Sequence, residues 1–137
     1  MMQPFLLDTC AALWIVSGIL PQTAADALTE AYRAGFPVYV SPITAWEVGM
    51  LGRKGRFRSP LTPLRWFETL MSKPGTTLAD MPPRVLLDAS SLPGKFHLDP
   101  ADQIIAATAR EFGFTVMTRD RPLLDYAAQG HLSAIEC

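Results

Sequence analysis

Thiols and imidazoles are scarce in this chain, with two cysteines and two histidines among 137 residues. Cys10 and Cys137 form neither a disulfide framework nor a paired metal motif. A lone Cys10–Cys137 bridge has little in its favour, and a reducing cytoplasm is the expected location. Long apolar runs are missing too. No stretch approaches the roughly 18 residues that span a bilayer, and the N-terminus lacks the basic region, apolar core and cleavage site of a signal peptide, so a soluble, unexported protein is expected. There is neither a glycine-rich dinucleotide fingerprint nor a phosphate-binding loop, which disfavours nucleotide-binding enzymes. Nor is there a charge excess. Twelve Lys and Arg against 13 Asp and Glu leave a net charge of −1, so the molecule as a whole does not advertise nucleic-acid binding. No linker or repeat interrupts the chain, and with half of its residues apolar it is expected to form one domain, residues 1–137, with a real core.

Strand-like and helix-like segments alternate along the sequence. The run ending Pro4-Phe5-Leu6-Leu7-Asp8 reads as a buried parallel strand, and so do Pro37 to Val40, Thr76 to Ala79, Thr115 to Thr118 and Leu132 to Ile135. Between them, Thr9 to Ser17, Pro21 to Ala34, Pro42 to Leu51, Thr62 to Ser72, Pro83 to Ser90, Pro100 to Phe112 and Pro122 to Ala128 read as helices, while Gly52 to Pro60 reads as a polar loop. This order predicts a three-layer α/β/α domain with a mostly parallel central sheet of four to five strands.

Four carboxylates occupy positions where a soluble protein seldom spends them. Asp8 and Asp120 follow apolar strands, which puts both at the carboxyl edge of the sheet, where open α/β folds bind ligands. Glu47 has Ile43, Thr44, Met50 and Leu51 as its helical neighbours, and Asp102 shares its face with Ile105, Ala106 and Ala109. Desolvating such acids costs several kcal/mol apiece, and clustering them adds repulsion unless a cation or protons compensate. Hard oxygen donors without a Cys or His partner favour Mg²⁺ or Mn²⁺ over zinc.

Each acid also has a bland explanation. Asp99-Pro100-Ala101-Asp102 is a helix start, with Asp99 as N-cap and Asp102 near the positive end of the dipole. Asp8 and Asp120 have the position of N-caps. Glu47 has no cap to make, and its remaining alternative is an ion pair with Arg53, Arg56 or another base. Thr9 and Thr118 stand beside the acids, either as supporting hydroxyls or as ordinary terminal threonines. Arg53, Lys54, Arg56 and Arg58 cluster after the Glu47 helix, and Arg119 and Arg121 flank Asp120; they fit either a solvated surface or a phosphate-holding rim. Trp14, Trp46 and Trp66 fall in helical patterns and are expected in the core or at a subunit contact. His97 and His131 are assigned no role.

The segments Leu7-Asp8-Thr9, Ser41-Pro42-Ile43-Thr44-Ala45-Trp46-Glu47, His97-Leu98-Asp99-Pro100-Ala101-Asp102 and Thr118-Arg119-Asp120 resemble, in order and spacing, the successive motifs of PIN-domain proteins, with the closest likeness to VapC-type toxins of bacterial toxin–antitoxin pairs. The resemblance spans nearly the whole chain. It implies that Asp8, Glu47, Asp102 and Asp120 are the family's acidic quartet, with Thr118 as a supporting hydroxyl and Asp99 as an accessory position. Within the quartet Asp8 and Asp102 are expected as the most direct metal ligands, Asp120 as a second-site or water-mediated ligand, and Glu47 as a ligand or water activator. Gln103 stands where a basic residue is often found, which puts substrate contacts in doubt. The resemblance further implies a Mg²⁺- or Mn²⁺-dependent endoribonuclease, a homodimer, and inhibition by a VapB-like antitoxin.

Two rivals remain. An aspartyl-phosphate enzyme of the haloacid-dehalogenase kind would need a second acid two residues after Asp8, where Cys10 stands. The other is a non-catalytic PIN-like module that keeps the acids but only docks RNA or protein.

Overall fold

The computed structural model describes residues 3–137. Its five strands are β1 (Phe5–Leu7), β2 (Val38–Val40), β3 (Thr76–Leu78), β4 (Thr115–Thr118) and β5 (Ala134–Glu136). They pair in the order β3-β2-β1-β4-β5, every pair parallel. The helices are α1 (Thr9–Ser17), α2 (Gln22–Arg33), α3 (Pro42–Arg53), α4 (Pro63–Met71), α5 (Pro83–Ala89), α6 (Pro100–Phe112) and α7 (Arg121–Ala128).

The pleat divides the core into two layers. Leu6 and Val116 face one way, into a cluster with Val85, Ile105, Leu123 and Tyr126 from α5, α6 and α7. Phe5, Leu7, Val38, Val40 and Met117 face the other way, onto Ala11, Ala24, Val48, Trp66 and Leu70 from α1 to α4. A sheet covered on both faces needs apolar side chains on both, which is why Phe5-Leu6-Leu7 shows no alternation.

Several expected boundaries shift. α3 runs two residues beyond Leu51, to Arg53, because Gly52 does not break the helix; a side chain there would come within 3.0 Å of Pro63 Cγ, so the glycine lets α4 start close by. The turn comes at Gly55, at φ 68°. At the other end of the sequence, Leu132 is buried in the α5–α7 layer before the ladder begins at Ala134, opposite Val116, so β5 starts two residues later than expected. α7 begins one residue early, at Arg121, with Pro122 inside its first turn. Trp66 is 1% exposed and belongs to the core, whereas Trp46 is 59% exposed and does not.

Candidate metal centre

The chain leaves β1 through α1 and α2 to reach β2 on one side, while β4 lies on the other, so the strand order reverses between β1 and β4. Such a switch point opens a crevice at the carboxyl ends of the strands. Asp8 follows β1 and Asp120 follows β4, one on each side of that crevice.

Asp8 is 3% exposed. Its Oδ1 accepts from the Ala11 backbone N–H at 2.8 Å, capping α1, and its Oδ2 accepts from the Thr118 hydroxyl. Burial raises its pKa above the usual carboxylate value, these two donors oppose the rise, and the Asp120 charge adds to it. Thr118, fully buried, ties the two sides together: the same hydroxyl accepts from the Asp120 N–H at 2.9 Å. Asp120 in turn caps α7, its Oδ2 accepting from Leu123 N–H at 3.2 Å. Capping and membership of the acid cluster are therefore compatible in both aspartates.

The helical acids enter from the side. The Glu47 carboxylate accepts from the Thr9 hydroxyl, which lies 3.1 Å from that of the buried Thr44. Among the described residues the only ion pair joins Arg84 to Glu111, so the pairing of Glu47 with Arg53 or Arg56 does not occur. Burial raises its pKa, against the Thr9 hydrogen bond, and the charges of Asp99 and Asp8 raise it further. At the start of α6, Asp99 accepts from Asp102 N–H at 3.0 Å and serves as the cap. The Asp102 carboxylate itself has no hydrogen-bond donor among the described residues, and its pKa is pushed up to about 8 by burial first, then by Asp99, Asp120, Glu47 and Asp8. Four elements thus bring Asp8, Glu47, Asp102 and Asp120, with Asp99, within reach of each other's fields.

An all-oxygen donor set of mutually repelling carboxylates, edged by the Thr9 and Thr118 hydroxyls, suits a hard divalent cation. Among the described residues no three such side chains converge tightly enough to cage an ion as they stand. Cys10 and Cys137 are free and half-buried, and burial raises both thiols, that of Cys137 to about 11, so neither offers a thiolate.

The basic residues divide. Lys54 and Arg56 line a groove of about 270 Å³ between α3 and the start of α6, together with Glu47 and Asp99. Arg53 is exposed and outside that lining. On the other flank the Arg119 guanidinium stacks over Trp14, 4.3 Å from the ring centroid, which holds it at the crevice mouth. Gln103 is turned toward the loop, its amide donating to Leu98 O at 3.3 Å, and His97 is exposed. The sequence left Trp46 between the core and a subunit contact; its ring is exposed in the same groove, a place that its helical spacing does not show.

Fold and edge together define a parallel α/β domain with an acidic cleft at its topological switch point. The PIN domain model matches residues 5–129, and the chain belongs to that family. It is 32% identical over 122 residues, 89% of this chain and 91% of the relative, to Ribonuclease VapC22 of Mycobacterium tuberculosis. Among solved structures, VapBC2 of Rickettsia felis, bound to a DNA fragment from the promoter, superimposes with a TM-score of 0.71 at 14% identity, over 96% of this chain and 97% of that one. FitAcB of Neisseria gonorrhoeae does so with a TM-score of 0.53 at 24% identity, over 96% of each. Both structural likenesses speak to the fold.

Proposed function

We propose that this chain is a metal-dependent endoribonuclease, the toxin of a toxin–antitoxin pair, and that residues 1–137 form its one domain. The observation that carries the reading is the convergence of four carboxylates from separate elements with no cation among the described residues paired to any of them. The kinship with a VapC ribonuclease supports the substrate, and the likeness to VapBC2 and FitAcB supports an antitoxin as partner. Mg²⁺ or Mn²⁺ is the ion this donor set favours. A homodimer in the cytoplasm completes the reading; among the described residues no single helix is long and apolar enough to cross a membrane.

When bound, the ion would lower the pKa of a water and neutralise charge on the leaving oxygen of the phosphodiester. Asp8, fixed by Ala11 and Thr118, is the ligand whose place is set in advance. Asp102 and Asp120 would complete the ligand set, Asp102 in its ionised form. Glu47, held by Thr9, orients the attacking water or takes its proton. Lys54, Arg56 and Arg119 hold the RNA backbone on the two flanks, with Arg53 as an outer contact. No protein nucleophile is needed.

The test is cleavage of a panel of structured and single-stranded RNAs by partner-free protein with Mg²⁺, Mn²⁺ or EDTA, beside folded Asp8→Asn and Asp102→Asn. Cutting that needs the metal and drops about a thousandfold or more in both variants is expected. If folded, metal-supplied protein binds RNA but cuts none, the docking module takes its place, a reading favoured by the open arrangement of the acids.

A further inference from the structure

We propose that Trp46 is a stacking platform for one unpaired base of a single-stranded RNA, a specificity element of the same site that rests on the nuclease reading above. Of the three tryptophans, Trp66 is buried at 1% exposure and Trp14 is covered by Arg119, whereas Trp46 presents 59% of its surface to solvent. Its surroundings are ordered like a nucleotide. Trp46 and Met50 on α3 and Lys54 at its C-cap recur at intervals of four, a row of an aromatic ring and a thioether ending in a cation. Arg56 joins Lys54 at that end, Pro100 forms the facing wall, and Glu47 and Asp99 lead from the groove into the acid cluster. A base lying on the ring would leave its phosphate near Lys54 and Arg56 and direct the next linkage toward the carboxylates. Stacking asks only for a π-face, and a paired base offers none to the side; the groove therefore selects splayed, single-stranded RNA. Charge argues against an acidic peptide in it, because Glu47 and Asp99 are in its lining, beside the acids where the nuclease reading places a cation for RNA.

The experiment compares wild-type protein, Trp46→Ala and Trp46→Phe on a single-stranded oligoribonucleotide with Mg²⁺, and on the same oligonucleotide with one base at a time replaced by an abasic unit. Trp46→Ala is expected to raise KM roughly 5- to 150-fold, the range of one base–aromatic stack, with kcat changed far less, and Trp46→Phe to keep most of the affinity. At one position the abasic unit should weaken wild type and leave Trp46→Ala no worse, and binding should quench wild-type tryptophan emission more than that of the variant. If wild type cuts RNA and Trp46→Ala has the same KM, or loses affinity equally at every abasic position, the platform is wrong and the nuclease stands. If Trp46→Ala instead converts a dimer to a monomer in sedimentation, the ring is a subunit contact and the platform is overturned. Wild type that cuts no RNA removes the nuclease reading and this one with it.

Discussion

Asp8 and Asp102 are buried by the same crevice and both hold their protons more tightly than a free carboxylate, yet they are held in opposite ways. Asp8 has a donor on each oxygen, the Ala11 N–H and the Thr118 hydroxyl, so its position is set by α1 and β4 together. Asp102 has no donor among the described residues, and its pKa is pushed up to about 8 by burial first and then by the charges of four neighbouring acids. One crevice therefore makes two kinds of carboxylate. One is an anchor whose geometry exists beforehand; the other stores repulsion that a cation or a proton must relieve.

The most damaging way to break the contrast is to take away the anchor's brace. Thr118→Val removes the hydroxyl shared by Asp8 and Asp120, and cleavage at saturating metal should fall about 10- to 100-fold, as for other groups that orient metal ligands. Single-turnover rates beside an unchanged circular dichroism spectrum read this out; a rate within twofold of wild type would show that Asp8 needs no brace.

A second, smaller effect exposes the stored repulsion through pH. The folded-state pKa of Asp102 lies above its ordinary value of 3.8, so the folded chain binds the extra proton and the stability this group contributes falls as pH rises from about 4 to about 8. In EDTA, Asp102→Asn should flatten that decline and raise Tm at pH 8 by about 4 °C, what about 1 kcal/mol does in a chain of this size. Divalent-ion affinity of wild type should climb over the same interval as the proton ceases to compete. A Tm that is level with pH in wild type, or an affinity that is, would refute the account.

The mildest change sharpens the comparison. Asp99→Asn keeps an N-cap of equal quality on α6 and removes one of the charges facing Asp102, so the Asp102 pKa should move down with global stability within about 0.5 kcal/mol of wild type. A carboxyl-resolved NMR titration measures it; an unmoved Asp102 would mean that Asp99 does not act on it.

How much of this was legible in the sequence varies by residue. The strands and helix starts were, since apolar triplets such as Phe5-Leu6-Leu7 and prolines at the first helical positions, Pro42, Pro63, Pro83 and Pro100, are local signals. Asp8 and Asp120 stood out by following strands, and Glu47 by its apolar neighbours. The strand order was not legible, because three-residue strands buried on both faces carry no register of their own. Capping and clustering looked like alternatives for Asp8 and Asp120 because sequence offers one role per residue, while a carboxylate has two oxygens. The Arg119–Trp14 stack and the exposed ring of Trp46 depend on contacts between distant segments, which spacing along one helix does not encode.

The Thr118 hydroxyl reaches Asp8 across 110 positions of sequence, and the central strand β1 finds its β4 partner only at residues 115–117. Contacts that close such long loops form late, because their entropy is lost before they return anything. A growing chain therefore carries Asp8 and Glu47 long before it carries the strand that completes their surroundings. The crevice comes into being only after residue 118 has been made, and a cell making this protein meets a finished acidic centre only once β4 is out and folded.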